Sequence, residues 1–535
     1  MAVYNASLVN IPDDGGVHVK SAGAKCEKYV YKYVKYFRNE EGKPRNMAKA
    51  IGKFDPVSGK MYPNSNYFDL YNVDQSFADI TVWDYGYSYL TARVSRDTGL
   101  LDCLSRAFGE KCAMDIVVMA SYMIREGSTM DGIDDWQQRN YFPDCPRIHT
   151  SQSTSRIFAS MTAGQIRNFF TKWVKATMGK DGCACYDVTS VSSYAQSMTS
   201  VERGYNRDGE DLAQFNLGLF CDEIEKLPLY YNRYNGSLTD RTNLEFVLAN
   251  ARDVGIKRVK MVVDGGFWDE NCLASLHGLC DAFTVGMPAY LVESRALLAS
   301  HGADIANYAN ELSSPGVYCA LVDFEVGSIA GRALLYFDSQ NHVSLCGELS
   351  ERINRLKSEL AALKRYPKSK LNRYTPYFAL TRHENDSGFD FEVDVEKVEK
   401  ARKGKGYFLI FSTDSESSPE DILYHYRAKD AAEKMFSQIK CDMEGNRIRT
   451  HNEQTTDGKT FVTFIACVIR SYMLNKLGQY LTDNSTSLKK ALNQLSNVAV
   501  ISSAGGFRFT KALSKKQKQI LKVFGADGDI TASLR

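Results

Sequence analysis

Two strand-like segments each carry a single aspartate, and they constrain the fold more than any other feature of the sequence. Cys183 to Val188 is an apolar, β-prone run broken only by Asp187. Arg258 to Val263 is rich in β-branched residues and leads into Asp264 and two glycines. A carboxylate within a buried strand is costly unless a cation or partner balances it, and open α/β sheets place their chemistry at strand ends. The pattern favours an α/β sheet with an acidic site; a solvent-facing strand edge and a turn residue are the alternatives for the two aspartates.

The segment from Tyr424 to Lys440 predicts a helix with one charged stripe. At about 100° per residue, four side chains fall within roughly 60° of one another: Tyr426, Lys429, Glu433 and Lys440. Such a stripe can bind a metal through the carboxylate and phosphate through the cations and the phenol. A solvated helix face with Lys/Glu pairs is the alternative interpretation.

The spacing Tyr-x2-Lys-x3-Glu-x6-Lys of these four residues resembles the Tyr-x2-Arg-x3-Glu-x6-Lys signature of IS4-type DDE transposases, especially their IS1634-like branch. Lys429 departs from the signature, which usually has arginine. Lysine keeps the charge but lacks the planar fork, so phosphate attraction is expected without bidentate geometry.

Three further short sequence motifs occur in the same order as in that family. Tyr186 to Ser190 resembles its first-Asp strand, and Val263 to Phe267 resembles its second-Asp strand. Gly204 to Gly209, followed by Asp211 to Gln214, resembles the hairpin between them. The resemblance covers roughly residues 150 to 480, and more weakly the N-terminal segment from about residue 25.

The resemblance implies a cut-and-paste transposase whose catalytic and metal-binding residues are Asp187, Asp264 and Glu433. Two Mg²⁺ ions, with Mn²⁺ as an alternative, would lie about 3.5 to 4 Å apart, activate a water or a 3′-hydroxyl, and stabilise the leaving oxygen. Asp187 would bridge both ions, and the other two acids would hold one each. Tyr426, Lys429 and Lys440 would bind the phosphates of the DNA end. The implied partners are double-stranded DNA at inverted-repeat ends, target DNA, and a second copy of the chain in a synaptic homodimer.

The implied fold class is α/β: a ribonuclease H-like mixed-sheet catalytic core with a β-rich insertion domain, a β-rich basic N-terminal module and a helical segment. Asp264 and Glu433 are far apart, and two predicted paired strands, Val317 to Glu325 and Gly331 to Asp338, lie between them. The predicted divisions are 1–95 for the basic module, 96–180 for the helical, possible DNA-binding region, 181–290 for the first part of the core, 291–404 for the insertion, 405–480 for the second part of the core with the Glu helix, and 481–535 for a helical tail.

Basic residues are clustered rather than spread over the chain, which has 535 residues and a net charge of only +2. Lys20 to Lys60 contains eleven Lys and Arg against four Asp and Glu, and Arg352 to Arg373 contains eight against one. A third cluster runs from Lys511 to Lys522. Such clusters suit counterion release on a DNA backbone, although an ordinary solvated surface has the same composition.

Thirteen cysteines at scattered spacings, an odd number, do not form a disulfide framework. Cys183 and Cys185 have no second pair at zinc-finger spacing, so reduced core thiols are expected. His425 and His451 also lack a second ligand at suitable spacing and are expected to be structural or phosphate-facing. No signal-peptide pattern begins the chain, and the apolar run Phe461 to Ile469 is too short to span a bilayer. We expect a cytoplasmic bacterial protein, associated with the nucleoid when bound to DNA.

Two other functions fit part of the pattern. A ribonuclease H-like nuclease would hydrolyse nucleic acid without joining ends, and a domesticated transposase-derived protein would bind DNA without cutting it. Intact acids at all three positions argue against the second. The Lys/Tyr stripe favours handling of defined DNA ends over simple hydrolysis.

Overall fold

The structure, a computed structural model, describes residues 8–22, 27–39, 42–71, 81–178, 183–256, 260–383, 388–503, 506–509 and 512–533. Arg258 of the second predicted strand and Lys511 of the C-terminal basic cluster lie outside these residues. The chain divides into two compact units. One comprises Met1–Arg93, Asp134–Ile148 and Lys476–Arg535, and the other comprises Val94–Ile133 and His149–Asn475.

The strands of the described residues are, in chain order, β1 Val17–Ala22, β2 Glu27–Arg38, β3 Pro44–Phe54, β4 Met61–Pro63, β5 Thr81–Asp84, β6 Cys183–Ser193, β7 Gln214–Asp222, β8 Pro228–Asn235, β9 Lys260–Val263, β10 Ala282–Met287, β11 Val317–Val326, β12 Ile329–Asp338, β13 Phe378–Arg382, β14 Phe389–Val393, β15 Tyr407–Ser412, β16 Arg447–Ile448, β17 Ala499–Ser503 and β18 Gly506–Phe509.

The α-helices are α1 Ser65–Tyr71, α2 Gly86–Asp97, α3 Leu100–Phe108, α4 Glu110–Glu126, α5 Ile133–Arg139, α6 Ser151–Ser160, α7 Ala163–Thr177, α8 Asp240–Asp253, α9 Glu270–Leu279, α10 Val292–His301, α11 Ser339–Ala362, α12 Leu371–Tyr374, α13 Val395–Lys403, α14 Pro419–Ala428, α15 Asp430–Ser437, α16 Glu453–Asp483, α17 Leu488–Ser496, α18 Lys515–Val523 and α19 Asp529–Ala532. The predicted mixed α/β class is confirmed at this level.

The larger unit is built on a mixed sheet with the order β11-β12-β15-β10-β9-β6-β7-β8, and β16 pairs with β6 outside this path. Strands β6, β7 and β8 are antiparallel neighbours. Strand β9 runs parallel to β6, and β10 runs parallel to β9. On the other side, β15, β12 and β11 continue the sheet with antiparallel pairings.

The register of the two parallel strands β6 and β9 sets the two aspartates level. Cys183 pairs with Lys260 and Cys185 with Val262. Two residues further along each strand, this register reaches Asp187 within β6 and Asp264 immediately after β9. Both strands were predicted from their sequences, and their pairing brings the two carboxylates to neighbouring positions.

Aromatic side chains of α7 and α16 form the core beside β8. Phe170 lies edge-on to Phe464, with ring centroids 5.1 Å apart, and the indole of Trp173 donates a hydrogen bond to the Pro228 carbonyl at 2.9 Å. The predicted apolar run Phe461 to Ile469 is buried within α16, as expected. By length and composition alone α16 could cross a membrane, but 67% of its most apolar window is buried inside the protein.

The segment between β10 and β15 contributes to the sheet and also forms a small core of its own. Strands β11 and β12 match the two predicted paired strands and extend the central sheet. Helix α11 instead packs on the β13–β14 hairpin through Leu356, Leu360 and Phe378.

The smaller unit contains the predicted N-terminal β-structure. Strands β1 to β4 form an antiparallel sheet around Val30, Ile51 and Met61. Its longest strand, β2, contains the Tyr- and Val-rich run from Lys28 to Phe37. A second sheet in this unit has the order β18-β17-β5.

Candidate active site

Three acidic side chains that are far apart in sequence converge on one lysine. The Lys429 ammonium donates a hydrogen bond to Asp264 Oδ1 at 2.7 Å and lies 3.6 Å from Glu433 Oε1. The charges of Lys429, Asp264 and Glu433 all act on Asp187. The structure therefore brings together the three acids that the sequence singled out, with a cation among them.

The helix that carries Glu433 is positioned by its buried face. Ala432 and Met435 of α15 are buried, and α15 packs on β6 and β7. Glu433 lies outside this buried face, and 58% of its side chain is exposed. Upstream, α14 begins at Ser418, whose side chain forms a capping box with Asp421.

The prediction of one regular helix from Tyr424 to Lys440 is wrong in detail. Helix α14 ends before Lys429, where the Ala432 N–H bonds to the Lys429 carbonyl in a tighter turn. After α15 the chain continues as a π-helix over Gln438–Asp442. The four residues of the predicted stripe therefore do not share one helical frame.

The surroundings of Asp187, Asp264 and Lys429 shift the pKa of each of these side chains. Burial raises the pKa of Asp187 to about 6, although the Val188 N–H and the Lys429 charge oppose this effect. Burial also acts to raise the pKa of Asp264, but the hydrogen bond and charge of Lys429 outweigh it and hold that pKa below its usual value. Burial lowers the pKa of Lys429 less than Asp264, Tyr426 and Glu433 raise it, so the ammonium stays protonated. Asp187 is consequently the carboxylate whose charge most needs a compensating cation.

Tyr426 and Lys440, the other two predicted phosphate-binding residues, lie in different surroundings. The Lys429 Nζ is 5.4 Å from the centre of the Tyr426 ring, so Tyr426 belongs with the acids. Lys440 donates to both carboxylate oxygens of Asp208, at 2.7 and 2.6 Å, and its side chain is only 12% exposed. Asp208 lies in the segment Gly204 to Gly209, so this ion pair connects that segment to the π-helix that follows α15.

A groove of about 480 Å³ opens beside Asp264 and Tyr426. Two arginines that the sequence analysis did not identify, Arg241 and Arg295, line it. Arg241 donates through Nε to the Gly266 carbonyl at 2.8 Å, which fixes its guanidinium next to the acids. Only tertiary structure reveals these arginines, because neither lies in a recognisable motif.

Gly286 permits the close contact between β10 and the Tyr426 phenol. A Cβ atom at this position would overlap the Tyr426 hydroxyl oxygen. A side chain is therefore excluded here, and the glycine keeps the ring against the floor of the groove.

The donor atoms of the acidic site are all oxygens, the ligands that Mg²⁺ and Mn²⁺ prefer. Three carboxylates face one ammonium, so the group can accept additional positive charge. Among the described residues, two groups have possible metal-ligand atoms that all lie within 4.8 Å of one another. Neither group contains these three acids.

Comparison with known proteins assigns no family to the chain. No protein-family model matches it, and neither does a curated protein. Among solved structures, a piggyBac transposase in a synaptic complex with hairpin DNA, determined by cryo-EM, is similar with a TM-score of 0.33 and 9% identity, over 84% of this chain and 78% of that chain. A similarity of this size carries no argument about function. The fold and site define a mixed α/β protein with an acidic site over two parallel strands.

Proposed function

We propose that the protein is a DDE-type transposase of the IS4 type, close to the IS1634-like branch, which cleaves DNA at insertion-sequence ends and transfers the strands to target DNA. The observation that carries this proposal is the meeting of Asp187, Asp264 and Glu433 around Lys429. The aspartates lie on adjacent parallel strands and the glutamate on a helix packed against them. This arrangement supports a ribonuclease H-like catalytic core built on the sheet strands β10, β9, β6, β7 and β8, with α15 packed on β6 and β7.

The proposed cofactor is a pair of Mg²⁺ ions held by the three acids, with Mn²⁺ as a substitute. When bound, such ions activate the attacking oxygen and stabilise the leaving oxygen of a phosphodiester displacement. Asp187 lies deepest and would contact both ions, whereas Asp264 and Glu433, which are more exposed, would each orient one. These assignments follow from burial and position, since a buried carboxylate is stabilised most by a nearby cation.

The basic and phenolic groups would hold the DNA end. Lys429 would turn from Asp264 towards a phosphate oxygen of the DNA. Tyr426 would donate a hydrogen bond from its hydroxyl group to the same DNA backbone. Arg241 and Arg295 along the groove would extend this phosphate contact. Lys440 would reach phosphate only by exchanging its Asp208 partner. The DNA partners are the inverted-repeat ends and the target, bound by a homodimer in the synaptic complex.

The direct test uses labelled duplex DNA from the flanks of the gene, where a transposase should have inverted repeats. Wild-type protein should cleave at the repeat boundary with Mg²⁺ and not with chelator. Asp187→Asn, Asp264→Asn and Glu433→Gln should each lower cleavage by more than about 100-fold, because even residues behind the metal ligands contribute 10- to 100-fold. Asp430→Asn is the matched control, since Asp430 is an exposed carboxylate on the same helix, paired with Lys434.

Two outcomes of this test would contradict the proposal. Cleavage that persists in chelator would exclude the metal-dependent mechanism. Metal-dependent cutting of any duplex, without preference for the repeats and without joining to target DNA, would instead indicate the nuclease alternative.

A further inference from the structure

A second cluster of metal-ligating side chains lies at the start of β6, away from the acidic site around Asp187 in the middle of that strand. The ligand atoms of Cys183, Glu223 and His425 all lie within 4.8 Å of one another. Cys183 begins β6, four residues before Asp187, a distance of about 13 Å along an extended strand. The two clusters therefore share one strand but not one pocket.

Strand pairing and one helix assemble this cluster. Ala184 pairs with Asp222 across β6 and β7, and the Glu223 N–H donates to the Cys183 carbonyl at 3.1 Å. The thiol and the carboxylate therefore lie side by side where β6 begins and β7 ends. Helix α14 places His425 over them, and its Nδ1 is in contact with Glu223 Oε1.

The carboxylate of Glu223 is incompletely satisfied. Its side chain has 0% exposure, and Oε2 has no hydrogen-bond partner of good geometry among the described residues. The Cys183 thiol is close to Glu223 but donates to the Lys260 carbonyl, at 3.0 Å. A buried carboxylate oxygen without a partner is costly, so the cluster has capacity for one more electrophilic group.

The neighbouring cation does not fill this role. The Lys260 ammonium lies 2.7 Å from Asp414 Oδ2 and 3.0 Å from Ser417 Oγ, so its charge is already balanced by Asp414. His425 keeps 24% of its side chain exposed, which leaves a route for an ion and a water from solvent.

We propose that Cys183, Glu223 and His425 bind a zinc ion, with a water as the fourth ligand, and that this ion fastens α14 to the ends of β6 and β7. One thiolate, one imidazole and one carboxylate are the donor types that Zn²⁺ takes in proteins, with ligand atoms roughly 3.5 Å apart in a tetrahedral site. The ligand atoms lie within 4.8 Å of one another in this structure, so binding would require them to adjust to that spacing. On binding, the Cys183 thiol releases its proton to solvent, and His425 binds in its neutral form.

This site goes beyond the proposed function and does not depend on it. The site is close in the chain to two residues of the proposed active site, because His425 directly precedes Tyr426 and α14 leads into Lys429. An ion at this position would hold the helix that presents both residues. The ion would position α14, since its three ligands join that helix to the ends of β6 and β7, while the water as fourth ligand makes the site an open one.

The test measures metal on the full-length protein, without DNA. Co²⁺ is the probe, because only a cysteine ligand gives it an intense near-ultraviolet sulfur-to-metal charge-transfer band. Wild-type protein should bind Co²⁺ with this band, and Zn²⁺ should displace it stoichiometrically. Cys183→Ser should abolish the band, and Glu223→Gln and His425→Gln should weaken Co²⁺ affinity by at least about 10-fold.

Two controls separate this site from other metals and other thiols. Cys272→Ser removes a buried thiol that donates only to the Arg241 carbonyl, and it should keep the band. Asp264→Asn combined with Glu433→Gln should also keep it, which distinguishes the zinc site from the acidic one. Glu223→Gln is nearly isosteric and covers the case in which Cys183→Ser does not fold. Absence of the band in wild type, its persistence in folded Cys183→Ser, or unchanged Co²⁺ affinity in folded Glu223→Gln would overturn the proposal.

Discussion

Asp187→Asn is expected to stabilise the protein in the presence of chelator at neutral pH, even though it should abolish cleavage. Burial raises the pKa of Asp187 from 3.8 to about 6. One pKa unit corresponds to about 1.4 kcal/mol, so ionised Asp187 costs the folded state about 3 kcal/mol. Asparagine keeps the shape of the side chain and removes its charge, so most of this cost should disappear.

The stabilisation of the protein by Asp187→Asn should increase as the pH rises. Because the folded-state pKa is raised, the folded protein holds the Asp187 proton more tightly than the unfolded chain does. The stabilisation by this proton is fully present below pH 3.8 and is lost as the pH rises through about 6. The difference in unfolding free energy between Asp187→Asn and wild type should therefore be smallest near pH 3.8 and largest above pH 6.

Urea unfolding in EDTA, followed by tryptophan fluorescence across this pH range, measures the difference. Asp430→Asn is the control, because its exposed carboxylate should give no such pH-dependent gain. Added Mg²⁺ should stabilise wild type more than Asp187→Asn, because the ion binds the folded acidic site. A variant less stable than wild type above pH 6 in chelator, or a gain equal at every pH, would refute the assigned cost of burying Asp187.

Three further changes test the surroundings of the acids. Lys429→Met should lower end cleavage by more than about 100-fold, whereas Lys429→Arg should retain much of the cleavage activity because the charge is kept. Equal losses of cleavage in the two variants would argue that Lys429 does not bind phosphate. Gly286→Ala should displace Tyr426, cost about 1 to 3 kcal/mol in urea unfolding and reduce cleavage. The control Gly278→Ala, in open space on α9, should leave cleavage unchanged and stabilise the protein slightly, because alanine favours a helix. Lys440→Met should destabilise the folded protein in urea, because the largely buried Asp208 pairing is lost; an unchanged midpoint would show that this ion pair contributes nothing.

Sequence predicted the parts of this fold whose signals are local. Strands β6 and β9 follow from short β-prone runs. Helices α6 and α7 lie in the predicted helical region, and Thr150 and Thr162 cap them through capping boxes. The acids at 187 and 264 were visible because a carboxylate interrupts or ends an apolar run. Their meeting with Glu433 was inferred only from a family resemblance, since sheet register and helix docking are long-range properties.

The features that sequence missed are set by contacts across long separations. Lys440 was expected to face phosphate, yet Asp208 from a distant hairpin binds it in this structure. Cys183 is a buried free thiol, as expected, and His425 was expected to be structural or phosphate-facing. Their proximity to each other was not predicted, because neither has a ligand partner nearby in the chain. Glu223, which joins them, follows the neighbouring strand and carries no motif. Arg241 likewise gains its place beside Asp264 only through the packing of α8.

The charges around Lys429 imply an order of binding at the proposed active site. The site carries three negative charges when Asp187, Asp264 and Glu433 are ionised, and Lys429 contributes a single positive charge. This excess repels DNA phosphates until divalent cations outweigh it, and repulsion at such short range is weakly screened by salt. If the proposed function holds, end DNA should bind wild type more tightly in Ca²⁺, which carboxylates also ligate, than in EDTA. The triple variant with Asn, Asn and Gln at these positions should bind equally in both, and tighter wild-type binding in EDTA would contradict the order.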